Sequence, residues 1–130
     1  MNFEDEKDYI MRIIKEMARV VFSFLFGKQY EAIVQEAVEK YQVSGKKLDE
    51  LLAMADCGAI NEAENILLDG IDCREKRDVA AAVLFYQHLS EMEEDFLLRN
   101  SYSREEVLDG MKGIMEKAGY GELIDVVMKQ

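Results

Sequence analysis

Proline and tryptophan are missing from this 130-residue chain, and histidine occurs once. Without proline, no position forbids a helix on covalent grounds. Cysteine is scarce: Cys57 and Cys73 are the only two, with no Cys-x-x-Cys spacing between them. That is too little for a disulfide framework, and it points to reduced thiols and a cytoplasmic setting. Basic residues are also few, 16 against 27 acidic ones, for a net charge of −11. The first 56 residues carry −3 and the rest −8. Such a surface repels phosphate backbones and anionic headgroups, so no nucleic-acid partner is expected and a membrane partner is disfavoured. The apolar run from Val20 to Phe26, broken only by Ser23, is far short of the roughly 20 residues that span a bilayer. The start, Met-Asn-Phe-Glu-Asp-Glu-Lys-Asp, is acidic, the reverse of a secretory leader.

What is present points one way. A hydrophobic fraction of 49% and a charged fraction of 33% describe a soluble globular chain of single-domain size. Helix formers dominate, and apolar residues recur at helical spacing almost throughout. An all-α fold is expected: antiparallel helical hairpins in one compact, tetratricopeptide-like bundle of seven to eight helices, forming a single domain over residues 1–130.

The first helix is predicted from about Glu4 to Phe26. Ile10, Ile13, Ile14, Met17, Val20, Val21 and Phe24 form its apolar stripe, which Met11, Ala18, Phe22, Leu25 and Phe26 widen. Arg12, Lys15, Glu16, Arg19 and Ser23 remain on a narrow polar strip. An arc so wide must be covered from several sides: either this helix is central, or part of it faces another subunit. A second helix carries Tyr30, Ile33, Val34, Ala37 and Tyr41 on one side. Ser44 is placed to cap a third, with Leu48, Leu51, Leu52 and Ala55 inward.

Gly58 reads as the left-handed stop of that third helix. Asn61 and Glu64 resemble a capping box opening a fourth, which buries Ala63, Ile66 and Leu67. Gly70 ends it, and Asp72 is the expected cap of the fifth. Val79 to Tyr86 is apolar all round and should lie at the centre of the core, continuing through Leu89, Met92 and Phe96 with a bend near Ser90. Ser103 and Glu106 form another capping box. The helix behind them turns Val107, Met111, Ile114 and Met115 inward, and Gly110 and Gly113 permit close helix packing. After Gly119-Tyr-Gly121 comes a short last helix.

Chemistry is harder to find. His88, near Glu91, suggests a carboxylate–histidine metal site, but the di-iron pattern wants a glutamate where Phe85 stands. A lone histidine also cannot complete a zinc site unaided. A hydrogen-bonded structural histidine is the simpler expectation. The run Glu91 to Asp95 lacks the ligand alternation and glycine of a calcium loop. No phosphate loop or nucleophile–base pair is recognisable, so neither catalysis nor a cofactor is expected. Tyr102 and Tyr120, lying outside the helical stripes, are candidate partner contacts, as are Phe22 and Phe26 on the first helix.

Two resemblances follow from these residues. Gly58, Ala63 and Leu67 fall where a tetratricopeptide repeat carries its turn glycine, small packing residue and large apolar residue. Leu51 stands where a small residue is usual, and the closing proline is missing. The segments Asp8–Met17, Phe26–Lys28, Glu62–Leu67, Phe85–Leu89 and Ser103–Val107 resemble a family of small uncharacterised helical proteins from Gram-positive bacteria. That resemblance implies no activity and no site residue. The expected function is therefore a non-catalytic scaffold or interaction module that binds a protein partner or itself. Two alternatives stand beside it: a small-ligand, metal or catalytic pocket near His88, Tyr86 and Glu91, or an acidic decoy for a basic partner.

Overall fold

The computed structural model describes residues 3–27, 32, 36, 42, 43 and 45–129. Helices dominate them. The order is α1 (Phe3–Phe26), β1 (Gln42–Val43), β2 (Lys46–Lys47), α2 (Leu48–Asp56), α3 (Ile60–Gly70), α4 (Lys76–Ser90), α5 (Glu94–Arg99), α6 (Arg104–Lys117) and α7 (Gly121–Met128). The all-α expectation holds, with seven helices among the described residues. The helix expected around Tyr30 to Tyr41 lies largely outside them, as does Ser44.

The one non-helical pairing among the described residues is a two-residue antiparallel ladder, Gln42 opposite Lys47 and Val43 opposite Lys46. It corrects the expected start of α2. β2 reaches Lys47, which is extended and occupies the N-cap position of α2 with no side-chain cap bond. A cap at Ser44 would start the helix too early.

α4 is the centre, as its uniformly apolar sequence predicts. Val79 to Val83, Phe85, Tyr86 and Leu89 are all buried, and the helix packs against α1, α2 and α6. α1 is covered by α4, α6 and α7. This resolves the wide arc: Ile10, Ile13, Ile14, Met17, Ala18, Val21, Phe22 and Leu25 are core. Phe24 departs from the expected stripe. It is 65% exposed and touches the ring of Tyr120 with centroids 6.1 Å apart.

Two further boundaries differ from the sequence reading. α4 ends at Ser90, whose hydroxyl donates to the Gln87 carbonyl at 2.6 Å. Glu93 is extended, so the expected bend is a break between two helices. Asp72 does not cap α4 either; Glu75 holds that position. The Asp72 carboxylate instead accepts from the Arg74 backbone at 2.9 Å, a local turn contact typical of aspartate.

Gly58 behaves as expected, and more strictly. Its φ is +99°, and a Cβ there would lie 2.5 Å from Oδ1 of Asn100. Only glycine satisfies both the left-handed turn and the close approach. The turn brings α2 and α3 together as a hairpin.

Candidate functional site

α3 buries Ile60, Ala63 and Leu67. Glu64 lies four residues after Ile60 and three before Leu67, which puts a carboxylate beside the buried stripe. A carboxylate there needs donors. It finds two: the hydroxyls of Tyr86 and Tyr102 donate to the same oxygen, Oε2, at 2.7 and 2.8 Å. Tyr86 comes from the core helix α4 and is 1% exposed; Tyr102 comes from the loop between α5 and α6 and is 3% exposed. Burial, together with the neighbouring carboxylate, pushes both phenols well above the ordinary tyrosine range. They stay neutral donors.

The loop that supplies Tyr102 is tied down from two directions. The Asn61 amide donates to the Ser101 carbonyl at 3.1 Å and to the Asn100 carbonyl at 3.4 Å. The Asn100 amide in turn donates to the Phe96 carbonyl at 2.8 Å. Ser101 holds φ +61°, and the Tyr102 backbone N–H closes the turn onto Leu97 at 2.9 Å. Asn61 and Glu64 therefore do not form the expected capping box. Ala59 holds the N-cap position of α3 with no side-chain bond, because the Gly58 turn lets the helix begin before Asn61. The corresponding box at Ser103 and Glu106 is present in both directions, at 3.2 and 2.9 Å.

Above Glu64 opens a groove of about 290 Å³ between α3 and α6. Asn61, Glu64 and Leu68 line one wall, spaced at helical period. Glu106, Asp109, Gly110, Gly113 and Lys117 line the other, again along one helical face. Gly110 is sterically required, since a Cβ there would lie 2.2 Å from Cε1 of Tyr86. Gly113 is not: the same atom would meet nothing within 4 Å among the described residues. Close packing explains the first glycine and not the second.

The residues singled out from sequence are scattered. Tyr102 and Phe22 are buried, and Phe26 and Tyr120 are half-buried. Only Tyr102 belongs to the groove, where its hydroxyl is engaged inside the chain. His88, Tyr86 and Glu91 do not converge. His88 Nε2 pairs with Asp56 Oδ1 at 2.7 Å, Tyr86 points to Glu64, and exposed Glu91 lines a separate depression with Arg12 and Lys15. Among the described residues, no three histidine, cysteine or acidic side chains gather where a metal could sit. Both cysteines are free, and partial burial raises the Cys73 thiol above its ordinary value, which disfavours the reactive thiolate. Sequence reasoning missed Glu64 as a groove residue. The available signal was its place on the same face as Ile60 and Leu67.

Fold and site together define a small all-helical protein with a groove lined by both charged and apolar side chains, and no described helix is long and apolar enough to cross a membrane. The chain belongs to a family of unknown function, DUF6483, whose model matches residues 4–119. That span includes every groove residue from Asn61 to Lys117 and stops short of α7. No curated protein and no solved structure matches the chain.

Proposed function

We propose that this protein is a non-catalytic helical interaction module that takes a segment of a partner protein into the groove between α3 and α6. One observation carries the reading. Gly113 faces the groove from the interior of α6, and among the described residues, its own helix turn apart, no atom lies within 4 Å of where its Cβ would be. An interior helix glycine costs about 1 kcal/mol relative to alanine. Packing among the described residues does not account for that cost, whereas an incoming segment approaching closely would. Leu68 and Ile114 give the groove apolar contact, and the tyrosine-bound carboxylate gives it a fixed polar point. A preorganised site loses less entropy on binding.

The reading takes α2 and α3 as a tetratricopeptide-like hairpin, supported by the left-handed Gly58 and by the buried Ala63 and Leu67. It also takes the protein as a bacterial, cytoplasmic one, supported by its acidic balance and two unpaired thiols.

The test is a selection from a random displayed-peptide library against the wild-type protein, with each selected peptide then measured on Gly113→Phe. That substitution fills the groove without touching the core. Peptides that bind wild type and lose binding to Gly113→Phe support the module. A selection that yields no binder, or only binders indifferent to the substitution, overturns it.

A further inference from the structure

The groove carries charge of opposite sign at its two ends. Glu106 and Asp109 stand on the first turns of α6, opposite Glu64 of α3, and Lys117 stands at the other end of α6. Asp109 and Lys117 are eight residues apart, or about 12 Å along the helix axis. Glu64 has one oxygen occupied by two tyrosine hydroxyls. Its other oxygen, Oε1, has no protein partner among the described residues and is not sealed from solvent. A carboxylate fixed in this way cannot rotate to follow a ligand. It offers a positioned acceptor to a cation arriving from the groove.

Resting on the interaction reading above, we infer that the occupant is a segment of another protein with a lysine or arginine at one end and an acidic residue about two helical turns away. The cation enters between Glu64 and Asp109, and the acid meets Lys117. The chain segment between them passes over Gly113, where no Cβ blocks it. Charge complementarity sets the direction of the segment as well as its class. A second copy of this chain is a poor occupant, because each copy carries −11 and long-range repulsion opposes the encounter.

Two fluorescein-labelled helical peptides of the same apolar frame provide the probe. One carries lysines at its first turn and glutamates at its last. The other carries glutamates at both ends. Fluorescence anisotropy at low salt should show the lysine peptide binding at least about tenfold more tightly than its acidic twin. Asp109→Asn, an exposed substitution, and Glu64→Gln, which keeps an acceptor for both tyrosines, should each weaken the lysine peptide several-fold and leave the acidic twin no weaker, since each removes a charge that repels its glutamates. Gly113→Phe should remove binding of both. Equal affinity for the two peptides, or no effect of Asp109→Asn and Glu64→Gln, overturns the inference. Neutral or acidic peptides from the display selection that still depend on Gly113 would leave the module standing and sink only the charge assignment. A concentration-dependent dimer in sedimentation velocity that Gly113→Phe abolishes would replace the foreign segment with a second copy, and so also overturns it.

Discussion

Replacing Glu64 by leucine removes the acceptor that Tyr86 and Tyr102 share, at 2.7 and 2.8 Å. Hydrogen bonds to a charged group contribute roughly 1.5–3 kcal/mol each to stability. Two are lost, and water in the groove can restore part of one of them. The expected cost is therefore about 2–4 kcal/mol. At roughly 4 °C per kcal/mol for a domain of this size, the melting temperature should fall by about 8–16 °C. Glu64→Gln keeps an oxygen in place and gives up the charge, so it should cost about 1 kcal/mol. Tyr86→Phe and Tyr102→Phe should each cost about 1–2 kcal/mol. The decisive assay is a double-mutant cycle, read by urea unfolding, pairing Glu64→Leu with each phenylalanine variant. Coupling of about 1 kcal/mol or more in both pairs is expected of groups in one network. If Glu64→Leu is neutral or stabilising, or if the three substitutions add independently, the carboxylate is not held by the tyrosines and the groove has no fixed polar point.

The two groove glycines should behave in opposite ways. Gly110→Ala forces the Tyr86 ring aside and should destabilise by about 1–3 kcal/mol, whereas Gly113→Ala should stabilise by up to about 1 kcal/mol; thermal melts distinguish them. Both tyrosine phenols titrate higher in the folded chain than unfolded, so their contribution is complete below the unfolded value near 10 and declines above it. Stability should fall above pH 10 by up to about 1.4 kcal/mol per pH unit for each tyrosine, and a Tyr86→Phe/Tyr102→Phe variant should show a flatter profile in urea unfolding between pH 9 and about 11. Arg104 is 4% exposed, sits at the first position of α6, and leaves its Nε without a partner among the described residues. Its ion pair with Glu94 is long, at 3.4 Å, and a cation at a helix N-terminus opposes the dipole. Arg104→Met should therefore be neutral or stabilising, and a loss of more than about 2 kcal/mol in chemical denaturation would contradict that reasoning.

Much of the fold was legible in the sequence because most of it rests on one-dimensional pattern. The apolar span from Val79 to Tyr86 announced a central helix, and Ser103 with Glu106 announced the start of α6. Gly58 was readable for the same reason, since a left-handed turn leaves a residue-level mark. The groove was less legible. Asn61 and Glu64 carry the same spacing as a capping box, and local spacing alone cannot reveal carbonyls and hydroxyls 38–40 residues away in sequence. What distinguishes the two sites is tertiary: the Asn100–Tyr102 loop lies against α3 and takes both side chains. Arg104 was equally opaque, because a basic residue just after a cap reads as a solvated helix start. In the sequence Gly113 has the spacing of a packing glycine, and only the open space beside it among the described residues shows otherwise.

The most direct test of the account is a backbone and side-chain amide NMR titration with the lysine-ended peptide. Glycine resonances fall in a sparse region, so Gly110 and Gly113 can be followed individually. The account predicts concerted shifts at Gly113, Lys117, Leu68 and the Asn61 side-chain amide, with α1 and α7 unmoved. Shifts clustered on the exposed Phe24–Tyr120 surface, or around His88 and Asp56, would contradict it.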